Sequence, residues 1–202
     1  MNLNNITNDL LVVDYTEYCK NTPNQKTPSK GVCFIDTPDE RLGAFCILNP
    51  NHIRYKAINL EEEKDLVNDK SGNNVKQCEC ICEAHRDKGR RWVMLIELKY
   101  CKEENIATNM LEALDKLEKC YDFLNNEKGF FKDNLYKVYL CASHPEHETI
   151  EPFSRFICNQ EKLLRLNDKE LTFYYTNSVT VLTPEYIAKI NTPYKYKYQL
   201  TK

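Results

Sequence analysis

Glycine is scarce in this chain, five in 202 residues, and none of the five belongs to a Gly-rich loop of the kind that wraps phosphates with backbone amides. Nucleotide chemistry of the P-loop or dinucleotide-binding type therefore has no footing here. A long apolar run is missing too, which argues against a transmembrane helix. Charge of one sign is lacking: 28 Lys and Arg against 30 Asp and Glu leave a net charge of -2. The chain is not a basic coat for nucleic acid, and tight non-specific DNA binding is disfavoured, although one local basic patch remains open. The opening residues, MNLNNITNDLLVVDY, have no basic n-region and only a short apolar patch, Leu10 to Val13. No signal peptide is expected, and a reducing, cytoplasmic setting is.

Cysteine is abundant, ten residues, but no two are spaced Cys-x-x-Cys. Cys78, Cys80 and Cys82 alternate as on a strand, which would point all three to one face. Structural zinc usually draws on turns with two to four intervening residues. Core packing as small buried hydrophobes is the favoured reading, with a metal or redox role as the alternative. Hydrophobic residues make up 42% and charged residues 29%, ordinary for a globular protein. The length suits a single domain over 1–202, with its core at about 57–190.

Periodicity predicts a short helix over Asn8–Cys19, a polar loop over Asn21–Lys30, and strands over Gly31–Ile35, Gly43–Leu48 and Ile53–Leu60. Leu60–Val67 suits a short helix. Val75–His85 and Arg91–Cys101 form the clearest pair of strands. The clearest helix runs from Glu103 or Asn105 to Leu124, its apolar stripe being Ala107, Met110, Leu111, Leu114, Leu117, Tyr121 and Leu124. Leu135–Ala142 follows as a strand, Phe153–Leu166 as a helix, and Leu171–Tyr175 and Ser178–Leu182 as short strands. Pro184 is expected to open a last helix through Ile190 with Thr183 as its cap.

The strand Trp92–Cys101 is apolar on both faces at first, as a strand inside a covered sheet would be. Glu97 and Lys99 break this pattern on one face. Their i, i+2 spacing aims both the same way, roughly 7 Å apart. Gly89 suits the left-handed position of a three-residue hairpin loop, Asp87-Lys88-Gly89. Counting back from that loop sets Glu83 opposite Val93, Ile81 opposite Leu95, Glu79 opposite Glu97 and Gln77 opposite Lys99. Two carboxylates then meet with their side-chain roots roughly 5 Å apart, and they repel unless a cation or a proton lies between them. A two-residue turn would instead set Cys80 against Glu97. Mg²⁺ takes oxygen ligands and retains waters, so one or two carboxylates plus a substrate phosphate suffice to hold it. An ordinary Glu97–Lys99 salt bridge at a sheet edge is the plainer explanation of the same residues.

The run Lys76-Gln-Cys-Glu79-Cys-Ile-Cys-Glu83, then Arg91-Trp-Val-Met-Leu-Ile-Glu97-Leu-Lys99, then a long amphipathic helix, resembles the PD-(D/E)XK, or restriction-endonuclease-like, nuclease superfamily. Glu79 corresponds to its first acid, Glu97 to its second and Lys99 to its lysine. The resemblance covers about residues 57–142. It implies an α/β fold with an αβββαβ core, a mixed central sheet flanked by helices, and here an N-terminal β-rich elaboration. It implies an Mg²⁺- or Mn²⁺-dependent endonuclease in which Glu79 and Glu97 hold the metal. DNA is the favoured substrate, and prokaryotic restriction or anti-phage defence the implied role. Departures are a Glu where the first acid is usually Asp, no preceding Pro, and Met110 where a polar helix residue is common. Glu61, Glu62 or Glu63 can stand in for an acid often found on the initial helix. The alternatives are a catalytically silent scaffold that binds a partner protein or nucleic acid, and an unrelated α+β interaction protein.

Several residues are weaker candidates. Glu83 and Gln77 are possible auxiliaries to the site. Arg86, Lys88, Arg90 and Arg91 cluster with His85 at the hairpin tip and are weak candidates for phosphate contact, a solvated turn being the plainer reading. Tyr196 and Lys197, within the alternating tail Tyr194–Tyr198, can stack on bases and pair phosphates; an edge strand or a partner-binding tail explains them equally well. His144, Glu146, His147 and Glu148 look metal-like but lack His-Glu-x-x-His spacing. An activating or targeting protein partner and a homo-oligomer both remain compatible with the sequence.

Overall fold

Residues 92–98 carry apolar side chains on both sides of one strand, and the fold answers by covering both. The computed structural model describes residues 2–21, 30–36, 42–73, 75, 77–131, 135–147 and 166–190. In chain order its elements are β1 (Leu3–Ile6), β2 (Leu10–Asp14), α1 (Tyr15–Asn21), β3 (Val32–Ile35), β4 (Phe45–Leu48), β5 (Tyr55–Asn59), α2 (Lys64–Val67), β6 (Cys80–Ala84), β7 (Arg91–Leu98), α3 (Ile106–Asn126), β8 (Tyr136–Ser143), β9 (Leu171–Tyr175), β10 (Ser178–Thr183) and β11 (Tyr186–Lys189). Short 3₁₀ turns over Leu60–Glu62 and Glu103–Asn105 precede α2 and α3.

The chain is mixed α/β with two mixed sheets. The larger has the order β1-β5-β6-β7-β8-β9 and the smaller β11-β10-β4-β2-β3. In the larger sheet β5, β6 and β7 form an antiparallel meander. β8 then lies parallel to β7, and β9 parallel to β8. A parallel neighbour needs a crossover, and α3 supplies it.

α3 forms because Met110, Ala113, Leu114, Leu117, Cys120 and Leu124 recur at helical spacing with no Gly or Pro between them, and all six are buried. They pack on Ile81, Val93, Leu95, Val138 and Leu140 of the larger sheet. Each fully buried Leu or Met contributes up to about 2–3 kcal/mol by leaving water. The opposite face of that sheet presents Cys80, Cys82, Trp92, Met94, Ile96, Tyr139 and Cys141 to Leu10, Val12, Phe45, Ile47, Val179, Val181 and Ile187 of the smaller sheet. The layers are thus helix, sheet, sheet. Among the described residues the second face is covered by strands, not by the helices expected for it.

Other expectations also change. Asn8–Cys19 is not one helix: Leu10–Val13 is a strand buried on both sides, Leu10 and Val12 inward and Leu11 and Val13 under Tyr18 and Ile35. The last helix is instead β11, antiparallel to β10. Thr183 Oγ1 does accept from the Glu185 amide at 3.2 Å, but it closes a turn rather than capping a helix. Leu111 lies 42% exposed on the outer face of α3. The helix expected over Phe153–Leu166 lies outside the described residues except for its last residue.

Candidate functional site

The hairpin between β6 and β7 fixes the geometry of the acids. Gly89 takes φ +87°, which the three-residue loop requires. The register follows: Glu83 pairs with Val93, Ile81 with Leu95 and Cys80 with Ile96. Glu97 therefore shares its face with Val93 and Leu95, the face under α3. Just before β6 the ladder slips. The Glu79 amide donates to Ile96 O at 3.0 Å, one residue off the register, as at a β-bulge. Cys78 and Glu79 both turn toward α3 as a result. Cys78 Sγ lies 3.5 Å from Cys120 Sγ, so Cys78 does not share a face with Cys80 and Cys82 as expected. Nine cysteines are free thiols among the described residues, seven of them buried; Cys158 lies outside them.

Glu79, Glu97 and Lys99 do come together. Glu97 is fully buried. Its Oε1 is ion-paired with Lys99 Nζ at 3.1 Å and accepts from Lys116 Nζ at 2.9 Å. Lys116 Nζ is also 3.4 Å from Glu79 Oε1, so one ammonium bridges the two carboxylates. Glu97 Oε2 is buried with no hydrogen-bond partner. Burial first, then the Glu97 charge, push the Glu79 carboxyl up to about 7, against the opposing pull of Lys116. Burial works to lower the Lys116 ammonium, but the carboxylates, Glu97 foremost, outweigh it and hold it above its ordinary value.

Lys116 was not singled out by the sequence reading. The signal was its place on α3, three residues after Ala113 and four before Cys120, both buried. That position lies on the sheet-facing seam.

His144 also borders this cluster. Leu98 pairs with Ser143 across β7 and β8, and the Lys99 amide donates to Ser143 O at 2.9 Å, so His144 follows beside Lys99. Its ring is buried, and Tyr175 Oη lies 3.3 Å from its Nδ1. Burial, then His147, then Lys99 push its pKa down to about 4, so the imidazole is neutral near pH 7. Asn177 Oδ1 accepts from the His144 amide at 2.9 Å and from Ser143 Oγ at 2.7 Å. His147 Nε2 lies 2.6 Å from Cys101 O. These contacts make the segment a fold-locking corner. Among the described residues no cluster of three or more His, Cys, Asp or Glu side chains is arranged to hold a metal; Glu148 lies outside them.

The remaining candidates separate from the site. Glu83 is bound by Lys56 at 2.8 Å, Arg91 at 3.1 Å and the Tyr136 hydroxyl at 2.8 Å. It stands four residues from Glu79, about 13 Å along the strand, and is no auxiliary to it. Gln77 Oε1 is buried without a partner, and Gln77 lies before the ladder rather than paired with Lys99. The hairpin tip is at the far end of β7 from Glu97, about 20 Å away. Arg86 pairs with Glu185, Arg90 with Glu170 at 3.0 Å, and Arg91 lies over the Tyr136 ring; Lys88 is exposed. That cluster does not flank the acids, so the weaker reading of it as a phosphate contact beside them is not supported. Of the three acids on the first 3₁₀ turn and its end, Glu61 is the one whose charge bears on Glu79, while Glu63 accepts from Asn2. Tyr196 and Lys197 lie outside the described residues.

Glu79 and Glu97 are the residues that would hold a divalent ion of the magnesium type, were one bound. Both donors are carboxylates, one buried oxygen is unsatisfied, and the Glu79 carboxyl is raised by burial first and then by the Glu97 charge, of which a cation would relieve the second. Two carboxylates do not form a closed cage, so such an ion would keep waters or take a phosphate oxygen. Comparison of the chain with family models, with curated proteins and with solved structures returns no match.

Proposed function

We propose that the chain is a metal-dependent phosphodiester hydrolase acting on nucleic acid, with DNA as the favoured substrate, of the PD-(D/E)XK type. The observation that carries this reading is the buried Glu97, with one unsatisfied oxygen, beside Glu79 and within 3.1 Å of Lys99. The order β5, β6, β7, α3, β8, with β8 parallel to β7, supports the restriction-endonuclease-like core implied by the resemblance. An Mg²⁺ or Mn²⁺ held by Glu79 and Glu97 would polarise a phosphate and ease deprotonation of water. The chain does the rest. β7 and α3 pin Glu97 in one position. Lys99, at the carboxyl end of β7 and 22% exposed in its side chain, reaches both Glu97 and solvent. There it can orient a water or offset charge developing on a phosphoryl oxygen.

A second reading is a catalytically silent scaffold of the same architecture. It draws on Lys116, whose ammonium already bridges the acid pair. The two readings separate in one assay. Supercoiled plasmid with Mg²⁺ or Mn²⁺ is expected to be nicked. Glu97→Gln or Lys99→Ala should lower the rate by about 10²-fold or more while circular dichroism stays unchanged. Plasmid, single-stranded DNA and RNA left intact with either ion would overturn the hydrolase.

A further inference from the structure

Lys116 is an anomaly of the α3 seam. Its neighbours on that face, Ala113, Leu114, Leu117 and Cys120, are buried apolar groups, and a Leu or Met in its place would extend the same packing. Instead the seam carries an ammonium whose side chain is only 17% exposed, 2.9 Å from Glu97 Oε1 and 3.4 Å from Glu79 Oε1. Burying a charge is costly unless it is paired, and the pairing here is with the two groups best suited to hold a divalent ion. The ammonium therefore stands where such an ion's charge would be needed.

We propose that Lys116 is a tethered competitor for the divalent cation, occupying the cation position between Glu79 and Glu97 in the metal-free chain and vacating it when the ion binds. The inference rests on the metal-binding reading of this site. The helix need not move. Its seam is fixed by buried neighbours on both sides of Lys116, whereas the lysine side chain is a flexible four-carbon stem with a compact charge at its end. The partial exposure of that side chain leaves it a path out. Once swung away, its ammonium loses two carboxylate partners and becomes available to a phosphate oxygen. A bound phosphodiester would thus compensate the displacement, and ion and substrate would favour each other's binding. Lys99 has a different part. It meets Glu97 Oε1 from the strand, at 3.1 Å and with greater exposure, so it can stay in place beside a bound ion.

The test is calorimetry of Mn²⁺ binding to wild type, Lys116→Met and Lys116→Gln, with urea unfolding to establish that each variant is folded. Glu97→Gln serves as the site control. Removing a like charge from within a few ångströms of the ion is expected to tighten Mn²⁺ binding about tenfold or more in both neutral variants, and Glu97→Gln to abolish it. Using both Met and Gln keeps the test alive should one variant fail to fold. If wild type and the neutral variants bind Mn²⁺ equally, or the variants bind it more weakly, the competitor role is overturned and the metal site survives. If none of them binds Mn²⁺ at millimolar concentration, both the competitor role and the metal-binding reading are overturned.

Discussion

Replacing Glu79 by Gln should make the metal-free protein more stable at neutral and alkaline pH, although it removes a partner of Lys116. The folded Glu79 carboxyl sits at about 7 against an ordinary 4.5. A folded value raised above the unfolded one means that the native state holds the proton more tightly. The associated stability is complete below about pH 4.5 and lost as pH rises through about 7. That gap corresponds to about 3 kcal/mol, and the side chain is only 15% exposed, so little is lost to solvent screening. His144 works in the opposite sense. Its folded value of about 4 lies below the ordinary 6.5, so its share of stability is present above about pH 6.5 and lost as pH falls through about 4.

Between those limits the two slopes largely cancel, and wild type should show a flat stability profile across mildly acidic pH. Gln at position 79 mimics the protonated acid and leaves the His144 slope alone. In urea unfolding with chelator present, Glu79→Gln should match wild type near pH 4.5 and exceed it by about 3 kcal/mol near pH 8. That is a midpoint shift of about 1–2 M urea at m values usual for small proteins. A variant no more stable than wild type near pH 8, with a difference that does not change with pH, would refute the argument. It would mean that Lys116 and solvent keep Glu79 ionised at ordinary cost, and that the two acids are not in strained proximity.

Two further outcomes join the plasmid and Mn²⁺ experiments. Gly31 has φ +73°, and an added Cβ would lie 2.1 Å from Asn59 Oδ1, in a buried side chain whose Nδ2 donates to Lys30 O at 3.1 Å; Gly31→Ala should cost about 2–4 kcal/mol by chemical denaturation, and a loss below about 1 kcal/mol would show that this contact is soft. Cys19 and Cys101 are partly exposed whereas Cys33, Cys46, Cys78, Cys80, Cys82, Cys120 and Cys141 are buried; iodoacetamide followed by mass spectrometry should label the first two on the native protein and the other seven only after unfolding, and rapid native labelling of Cys80 or Cys82 would contradict the two-sheet core.

Where the sequence was legible, a local rule decided the structure. Gly89 selects a three-residue loop, the loop sets the count, and Glu83, Ile81 and Cys80 then fall opposite Val93, Leu95 and Ile96. The α3 stripe was equally plain. Local rules failed where burial comes from distant chain. Leu10–Val13 is apolar at every position, a pattern that periodicity cannot divide between helix and strand, and only the presence of β3 and β4 on either side makes it β2. Residues 184–190 carry a helix-start signal at Thr183 and Pro184, but Ile187 gains more by joining the buried face beneath Val181 and Trp92. The slip at Glu79 leaves no mark in the residue pattern, so the count holds as far as Cys80 and fails before it, most plainly for Cys78.

Lys116 is the most instructive omission. A hydrophobic stripe defines a helix by what it buries, and a lysine among apolar positions is ordinarily assigned to the solvated side because its stem can carry the charge outward. Here the charge is turned inward instead, onto Glu97 and Glu79. The helix packs on β7 and β8, and two acids lie beneath that seam. The decision belongs to a pair of residues on another element, one of them visible only once the β6–β7 register is known. A charge on a buried seam is thus read correctly only together with the charges of the surface it faces. Without Lys116, Glu97 would have only Lys99 to offset its charge beside a second acid, and without Glu97, Lys116 would keep only Glu79, at 3.4 Å. Each accounts for the other's presence in the core, and under the proposed metal binding one cation would replace another while the scaffold stays in place.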